Sequence, residues 1–430
     1  MRVSEDDGVS GFERTSLPAL RRGEPEARHG RRRGHPFRDA LRFAVIAVVV
    51  LAVSATALVG IAVWQTVGNI GPGIHLAQLP GQTTPDVTAA DGEVNLLLVG
   101  TDTRTDQGAA FSDPADQDAS SGAGQNDVTM LLHISADHKS AAVISFPRDM
   151  IISTPDCPDG SGGTISGSDG VMFNSILANG GLPCVVLTVS SLTGVTIPYG
   201  AVISFDGVTA MSNAVGGVPV CLATPVVDPY TGLDLPQGEQ TLQGDQALAF
   251  LRSRHGVGDG SDLGRISNQQ VFLSSLMRQI TSAGVLGNPV TLFALANAAV
   301  KNMQLSDTLT NPTTLVSLAL ALKNVSLGDI VFVQYPVVTD PDDSNRVIPD
   351  DDAAAALNAA LVSGQPLSLT GTVGRGAVAG PDDSTPTAAP TDTSTDASTD
   401  APAPTDTSAA LPPSVTGQTA AEQTCTQGNN

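Results

Sequence analysis

Beyond residue 100, arginines and aspartates recur in short segments suited to handling a phosphate group. Asp102 and Arg104 lie two apart in GTDTR, Asp127 stands in NDVTML, and Arg148 adjoins Asp149 in FPRDM. Arg252 and Arg254 are two apart in LRSRH, and Asp262, Arg265 and Gln269 follow in DLGRISNQQ. Only 11 basic residues lie beyond Arg42, and Arg104, Arg148, Arg252, Arg254 and Arg265 are five of them. Each guanidinium fork can donate paired hydrogen bonds to phosphate oxygens. If LRSRH is extended, Arg252 and Arg254 face the same way and form an anion clamp. Carboxylates at Asp102 and Asp127 supply the hard oxygens that Mg²⁺, or Mn²⁺, prefers beside substrate phosphates. The combination suits a diphosphate and the charge that builds up as a phosphoryl group moves. Blander readings stand beside this one: an Asx turn at Asp102, a cap or turn at Asp127, a structural Arg148-Asp149 pair, and an ordinary helix capped by Asp262. The sequence shows no Ser/His/Asp order and no Walker loop, which ranks serine hydrolysis and P-loop chemistry low.

These residues need a scaffold that brings strand ends and helix starts together. VNLLLVG (94–100), VTMLLHIS (128–135) and AAVISFP (141–147) are short apolar runs bounded by turn residues, as expected of strands buried on both faces. YGAVISF (199–205) and DIVFVQYPV (329–337) read as further strands, and helical patterning centres on Ser175, Thr209, Ala247, Val271, Leu292 and Leu315. The expected fold is α/β, a central mixed β-sheet flanked by helices, with ligand groups in the loops at strand ends. The apolar helices after Gln270 read first as core and second as the wall of a lipid-chain pocket.

The 430 residues carry 21 Lys and Arg against 43 Asp and Glu, a net charge of −22, which argues against a nucleic-acid-binding surface. Residues 1–42 are the exception, with ten arginines and a net charge of +3. Phe43–Trp64 is a 22-residue stretch without formal charge, long enough at about 1.5 Å per residue to cross a membrane. The expected layout is a cytoplasmic N-terminus (1–42), an uncleaved single-pass transmembrane helix (43–64), a Pro/Gly/Thr-rich extracellular stalk (65–92) and a catalytic domain (93–373). From Gly374 the chain lacks aromatic residues and is rich in Ala, Thr, Ser, Pro and Asp, so 374–430 is expected to be a disordered tail. All four cysteines lie on the outer side. Cys157 with Cys184 is the favoured pairing, and Cys221 with Cys425 would tie the tail back; free thiols stay open.

In order along the chain, VNLLLVGTDTR, NDVTML, ISFPRDM, FNSILANGG, LTGV, GGVPVCL, DLPQGEQTLQGDQALAFLRSRH and DLGRISNQQ resemble the LytR-CpsA-Psr family of Gram-positive envelope proteins, over roughly Glu93–Ile280. The resemblance implies a phosphotransferase that moves a glycopolymer, such as a teichoic acid, from a polyprenyl-pyrophosphate carrier to peptidoglycan through a phosphodiester bond. It implies Asp102 and Asp127 as acids for Mg²⁺, and Arg148, Arg252, Arg254 and Arg265 as pyrophosphate binders. Asp262 and Gln269 match further active-site positions, and Arg104 is a weaker match. The chain departs from the family pattern at Gln125 and Asn268, where arginine is frequent. Its partners would be the lipid-linked polymer, peptidoglycan and the membrane, with no nucleic acid. A polyprenyl-pyrophosphate hydrolase would use the same groups with water as acceptor. A non-catalytic protein that binds lipid-linked glycan or regulates the envelope is the third reading.

Overall fold

The computed structural model describes residues 72–83, 92–105, 107, 120, 122–159, 161–281, 289–380 and 408–429. The expected cytoplasmic segment and transmembrane helix, 1–42 and 43–64, lie outside the described residues. In chain order come β1 (Val94–Thr101), β2 (Asn126–Ile134), β3 (Ala141–Phe146), α1 (Ile176–Thr193), β4 (Tyr199–Ile203), α2 (Phe205–Ala214) and β5 (Val218–Leu222). Then follow β6 (Val226–Asp228), β7 (Leu233–Leu235), β8 (Gly238–Leu242), α3 (Gly244–Arg252), α4 (Asp262–Thr281), α5 (Pro289–Asn302), β9 (Met303–Leu305) and α6 (Pro312–Lys323). The domain closes with β10 (Ile330–Gln334), β11 (Val337–Thr339), β12 (Val347–Pro349), α7 (Asp351–Ser363), β13 (Ala377–Ala379), β14 (Gly417–Thr419) and β15 (Thr424–Thr426).

The central sheet has the order β9-β4-β1-β2-β3-β10-β14. It is mixed: β1–β2 and β2–β3 are antiparallel, while β1–β4 and β3–β10 are parallel. No residue of β1, β2 or β3 is exposed, as their unbroken apolar runs demand. Side chains alternate across the sheet. Leu97, Val99 and Leu131 join Val185 and Val189 of α1 and Leu357 of α7 in one core. Leu96, Leu98 and Leu132 pack against the opposite core, with Phe332 and Ala321. A second sheet, β8-β5-β15-β13, covers a third core with Phe250 of α3 and Phe272 of α4. The segment Phe173–Thr193 is long and apolar enough to cross a membrane, yet 61% of its apolar 18-residue window is buried in this domain. Its helix is broken where Gly181 takes φ 65° two residues before Pro183, a conformation that glycine reaches without steric cost.

Two boundaries differ from expectation. The tail does not begin at Gly374: β14 adds an antiparallel edge to β10, and β15 lies between β5 and β13. Backbone pairing and two close glycine contacts replace the missing aromatic mass. Gly374 lies against Ser267 and Gly376 against the Gly264 carbonyl, where a β-carbon would not fit. Both disulfides form, Cys157–Cys184 and Cys221–Cys425, and the second staples β15 to β5. The stalk is also partly built into the domain. Ile74 exchanges backbone hydrogen bonds with Leu305 and Asp307, and Leu76 is buried.

Candidate functional site

The ends of three strands define the site. β1 runs into Asp102, β2 opens with Asn126 opposite Thr101 and places Asp127 next, and β3, antiparallel to β2, delivers Arg148 to the same sheet edge. The first turn of α4 adds Asp262 and Arg265. The helix cap is not Asp262, as the sequence pattern suggested, but Ser261, whose hydroxyl accepts from Gly264 N at 3.2 Å. The Asp262 carboxylate turns into the site instead, accepting from Arg148 N at 3.1 Å and meeting Arg265 Nη2 at 2.6 Å.

One connected network of charges results. Arg148 Nη1 donates to Asp127 Oδ1 at 2.8 Å, and Arg265 Nη2 donates to the Asp127 carbonyl at 2.6 Å. Asp149 lies 3.7 Å from Arg148, 3.8 Å from Arg254 and 3.3 Å from Arg346. Burial alone would push the Arg148 guanidinium down, but Asp127, Asp262 and Asp149 outweigh it and raise it. Asp102 Oδ1 accepts from Gln125 N at 2.6 Å and from Ser120 Oγ at 2.9 Å, partners 23 and 18 residues along the chain, so it ties the start of β2 to the end of β1 and does not form a local Asx turn.

Arg252 and Arg254 do not lie side by side on an extended segment. GDQALAFLR is helical, and Arg252 ends α3, where the helix dipole favours a cation. Its guanidinium lies 4.4 Å from the Phe205 ring centre. Burial and the Arg104 and Arg265 charges push Arg252 down, while Asp127 and Asp102 push back, which places all five charges within one electrostatic neighbourhood. Arg254, in the following loop, donates from Nε to the Gly260 carbonyl at 3.3 Å.

The cluster shares Asp127, Arg252, Arg265 and Gln269 with the lining of a cavity of about 210 Å³. The rest of that lining is mostly apolar and includes Met211 of α2, Leu248 of α3, and Leu273 and Leu276 of α4. On α4, Val271 is buried in the domain, Leu273 and Leu276 face the cavity, and Phe272 is both buried and part of the cavity wall. Gln269 is buried and donates to Leu251 O at 3.0 Å, tying α4 to α3.

Among the groups that converge here are six arginines (104, 148, 252, 254, 265, 346) and four aspartates (102, 127, 149, 262), a positive excess in a chain of net charge −22. Arg148 Nε and Arg265 Nε are buried without a hydrogen-bond partner among the described residues. Asp102 and Asp127 are carboxylates on neighbouring strand ends, the hard-oxygen donor type that Mg²⁺ takes beside waters and phosphate oxygens. Arg346 is the contributor that the sequence reading missed, because it stands alone in DDSNRV, far along the chain from the other segments. The two departures from the family pattern have structural partners. Gln125 Oε1 accepts from Asn174 Nδ2, and the fully buried Asn268 bonds Phe250 O and Thr426 Oγ1.

Fold and site together define an α/β protein with an arginine-rich charge cluster beside an apolar cavity. The chain belongs to the LytR-CpsA-Psr family, whose model (LytR_cpsA_psr) matches residues 73–361, beyond both ends of the stretch marked by motifs. It is 33% identical over 326 residues to the cell wall biosynthesis protein LcpA of Corynebacterium glutamicum, a match covering 71% of this chain and 61% of that protein. It is 26% identical over 186 residues to the polyisoprenyl-teichoic acid–peptidoglycan teichoic acid transferase TagV of Bacillus subtilis, covering 42% and 44%. Matches to these curated relatives therefore span about three-fifths of their length or less. The solved protein gbs0355 of Streptococcus agalactiae has the same fold, with a TM-score of 0.50 and 22% identity over 63% of this chain and 87% of that one.

Proposed function

We propose that this chain is a membrane-anchored extracellular phosphotransferase that moves a glycopolymer from a polyprenyl-pyrophosphate carrier onto peptidoglycan. The observation that carries this reading is a cluster of arginines sharing residues with an apolar cavity. A prenyl pyrophosphate has the same two halves, one anionic and one hydrocarbon. Relatives named for cell wall biosynthesis and for teichoic acid transfer support it.

In this account Arg148, Arg252, Arg254 and Arg265 bind the diphosphate, with Arg104 at the same edge, and the first prenyl units enter the cavity beside Leu273 and Leu276. A sugar hydroxyl of peptidoglycan attacks the phosphorus that bears the glycan. A new oxygen–phosphorus bond forms, the bridging bond of the diphosphate breaks, polyprenyl monophosphate leaves, and the hydroxyl proton passes to a carboxylate of the cluster. Asp262 holds Arg265 and the backbone of Arg148, and Asp149 holds Arg148 and Arg254, so the forks are oriented before substrate arrives. Mg²⁺ held by Asp102 and Asp127 would neutralise phosphate charge.

Arg254→Ala and Arg148→Ala in the full-length chain should each lower turnover of a short-chain polyprenyl-pyrophosphoryl saccharide by about 100-fold or more. Removal of Mg²⁺ by chelation should lower it as well. Wild-type rates in both variants, measured by mass spectrometry of the products, would remove the arginine clamp from the mechanism.

A further inference from the structure

Tyr230 stands out on the surface of this domain. Among the described residues it is, at 81% exposure, the most exposed large hydrophobic side chain and the one aromatic in that group. The whole chain has three tyrosines and one tryptophan. Its position is fixed: Tyr230 N donates to Asp228 Oδ1 at 3.0 Å in the turn between β6 and β7, and its ring centre lies 4.5 Å from that of His255, tilted by 42°. His255 directly follows Arg254. The same Asp228, fully buried, accepts through Oδ2 from Ser253 Oγ at 2.7 Å, Arg254 N at 3.1 Å and Gly256 N at 3.2 Å. One carboxylate therefore sets both the exposed ring and the backbone of an arginine in the charge cluster.

We propose that Tyr230 and His255 form a shelf that takes one pyranose ring of a glycan, next to the phosphate held at Arg254. The proposal rests on the phosphotransferase reading and extends it to a sugar subsite. An aromatic face is electron-rich, and a pyranose offers it a face of C–H groups while its hydroxyls stay in water at the rim. A rigid, exposed tyrosine contributes contact area at little entropic cost. The surroundings suit a sugar better than a protein partner. Val227 is the other exposed large hydrophobic on this hairpin, and the neighbouring Pro229, Gly232 and Asp234 are also exposed. The ring could come from the transferred polymer or from the peptidoglycan acceptor, which share this chemistry.

The test is a set of saturation-transfer NMR titrations of the full-length chain in amphipol, comparing wild type with Tyr230→Ala and Tyr230→Trp. Three probes are used: geranyl pyrophosphate, geranyl-pyrophosphoryl N-acetylglucosamine, and the disaccharide N-acetylglucosaminyl-N-acetylmuramic acid. Tyr230→Ala should weaken at least one sugar-bearing probe by about tenfold, Tyr230→Trp should keep it within about twofold, and geranyl pyrophosphate should stay unchanged in both. The sugar-bearing probe that responds identifies whether donor or acceptor uses the shelf. Wild-type affinity for both sugar probes in Tyr230→Ala, or no binding of either by the wild type, would overturn the shelf. Failure of geranyl pyrophosphate to bind the wild type would count against the phosphotransferase reading alone, since Tyr230-dependent sugar binding is read separately.

Discussion

At the scale of the residue, the site depends on carboxylates that carry no substrate. Asp228 is the clearest case. Burial works to raise its carboxyl, but hydrogen bonds from Ser253 and from the amides of Tyr230, Gly256 and Arg254 outweigh this and hold it below the ordinary carboxylate range. A carboxyl lowered on folding contributes stability that is complete above the ordinary value and is lost as pH falls through the lowered one. Asp228→Asn should therefore destabilise the domain by about 2 kcal/mol at neutral pH, and the gap to wild type should close below about pH 4. Urea unfolding at several pH values measures this; a gap that stays constant down to pH 3 would show that the charge of Asp228 does no such work. In the sequence the conspicuous arginines were legible, because positive charge is scarce beyond Arg42. Asp228 was not, since an aspartate before proline in a loop looks like an ordinary turn.

At the scale of the element, strand ends and one helix start do the positioning, and a late segment braces them. Arg278 of α4 donates to the carbonyls of Ala420 and Glu422, both at 2.9 Å, and Gln418 donates to Gln270 O and Ser274 Oγ. Beyond β15, Gln427 O accepts from Gly258 N and Asn429 N donates to Gly256 O, so the loop that carries Arg254 is tied to the end of the chain. The Cys221–Cys425 bond, spanning 204 residues, secures this brace. Cys425→Ser should cost roughly 2–5 kcal/mol of stability and make the variant insensitive to reductant at this pair. Equal urea midpoints for wild type and variant under oxidising conditions would contradict that. The strands β1, β2, β3, β4 and β10 were readable because each is a short apolar run between turn residues. The strands β13, β14 and β15 were not, because GAVAG, TGQTA and QTCTQ bury backbone rather than large side chains, and their pairing is set by partners more than 40 residues away.

At the scale of the whole molecule, a strongly acidic chain holds a local arginine excess at one edge of its central sheet, beside an apolar cavity. The ordered motifs made the family legible. The actual geometry was not, because Arg252 and Arg254 separate when α3 runs as far as Arg252, and Arg346 arrives from the loop between β11 and β12. Arg252 lines the cavity, while Arg254 sits in the loop beyond α3 against Asp149. The reaction itself is tested most directly by following oxygen. The full-length chain, given a short-chain polyprenyl-pyrophosphoryl saccharide and peptidoglycan fragments in water enriched in oxygen-18, should yield polyprenyl monophosphate and a phosphodiester-linked adduct without the heavy isotope. Sugar phosphate carrying oxygen-18 in place of the adduct would mean that water is the acceptor, and transfer to peptidoglycan would have to be abandoned.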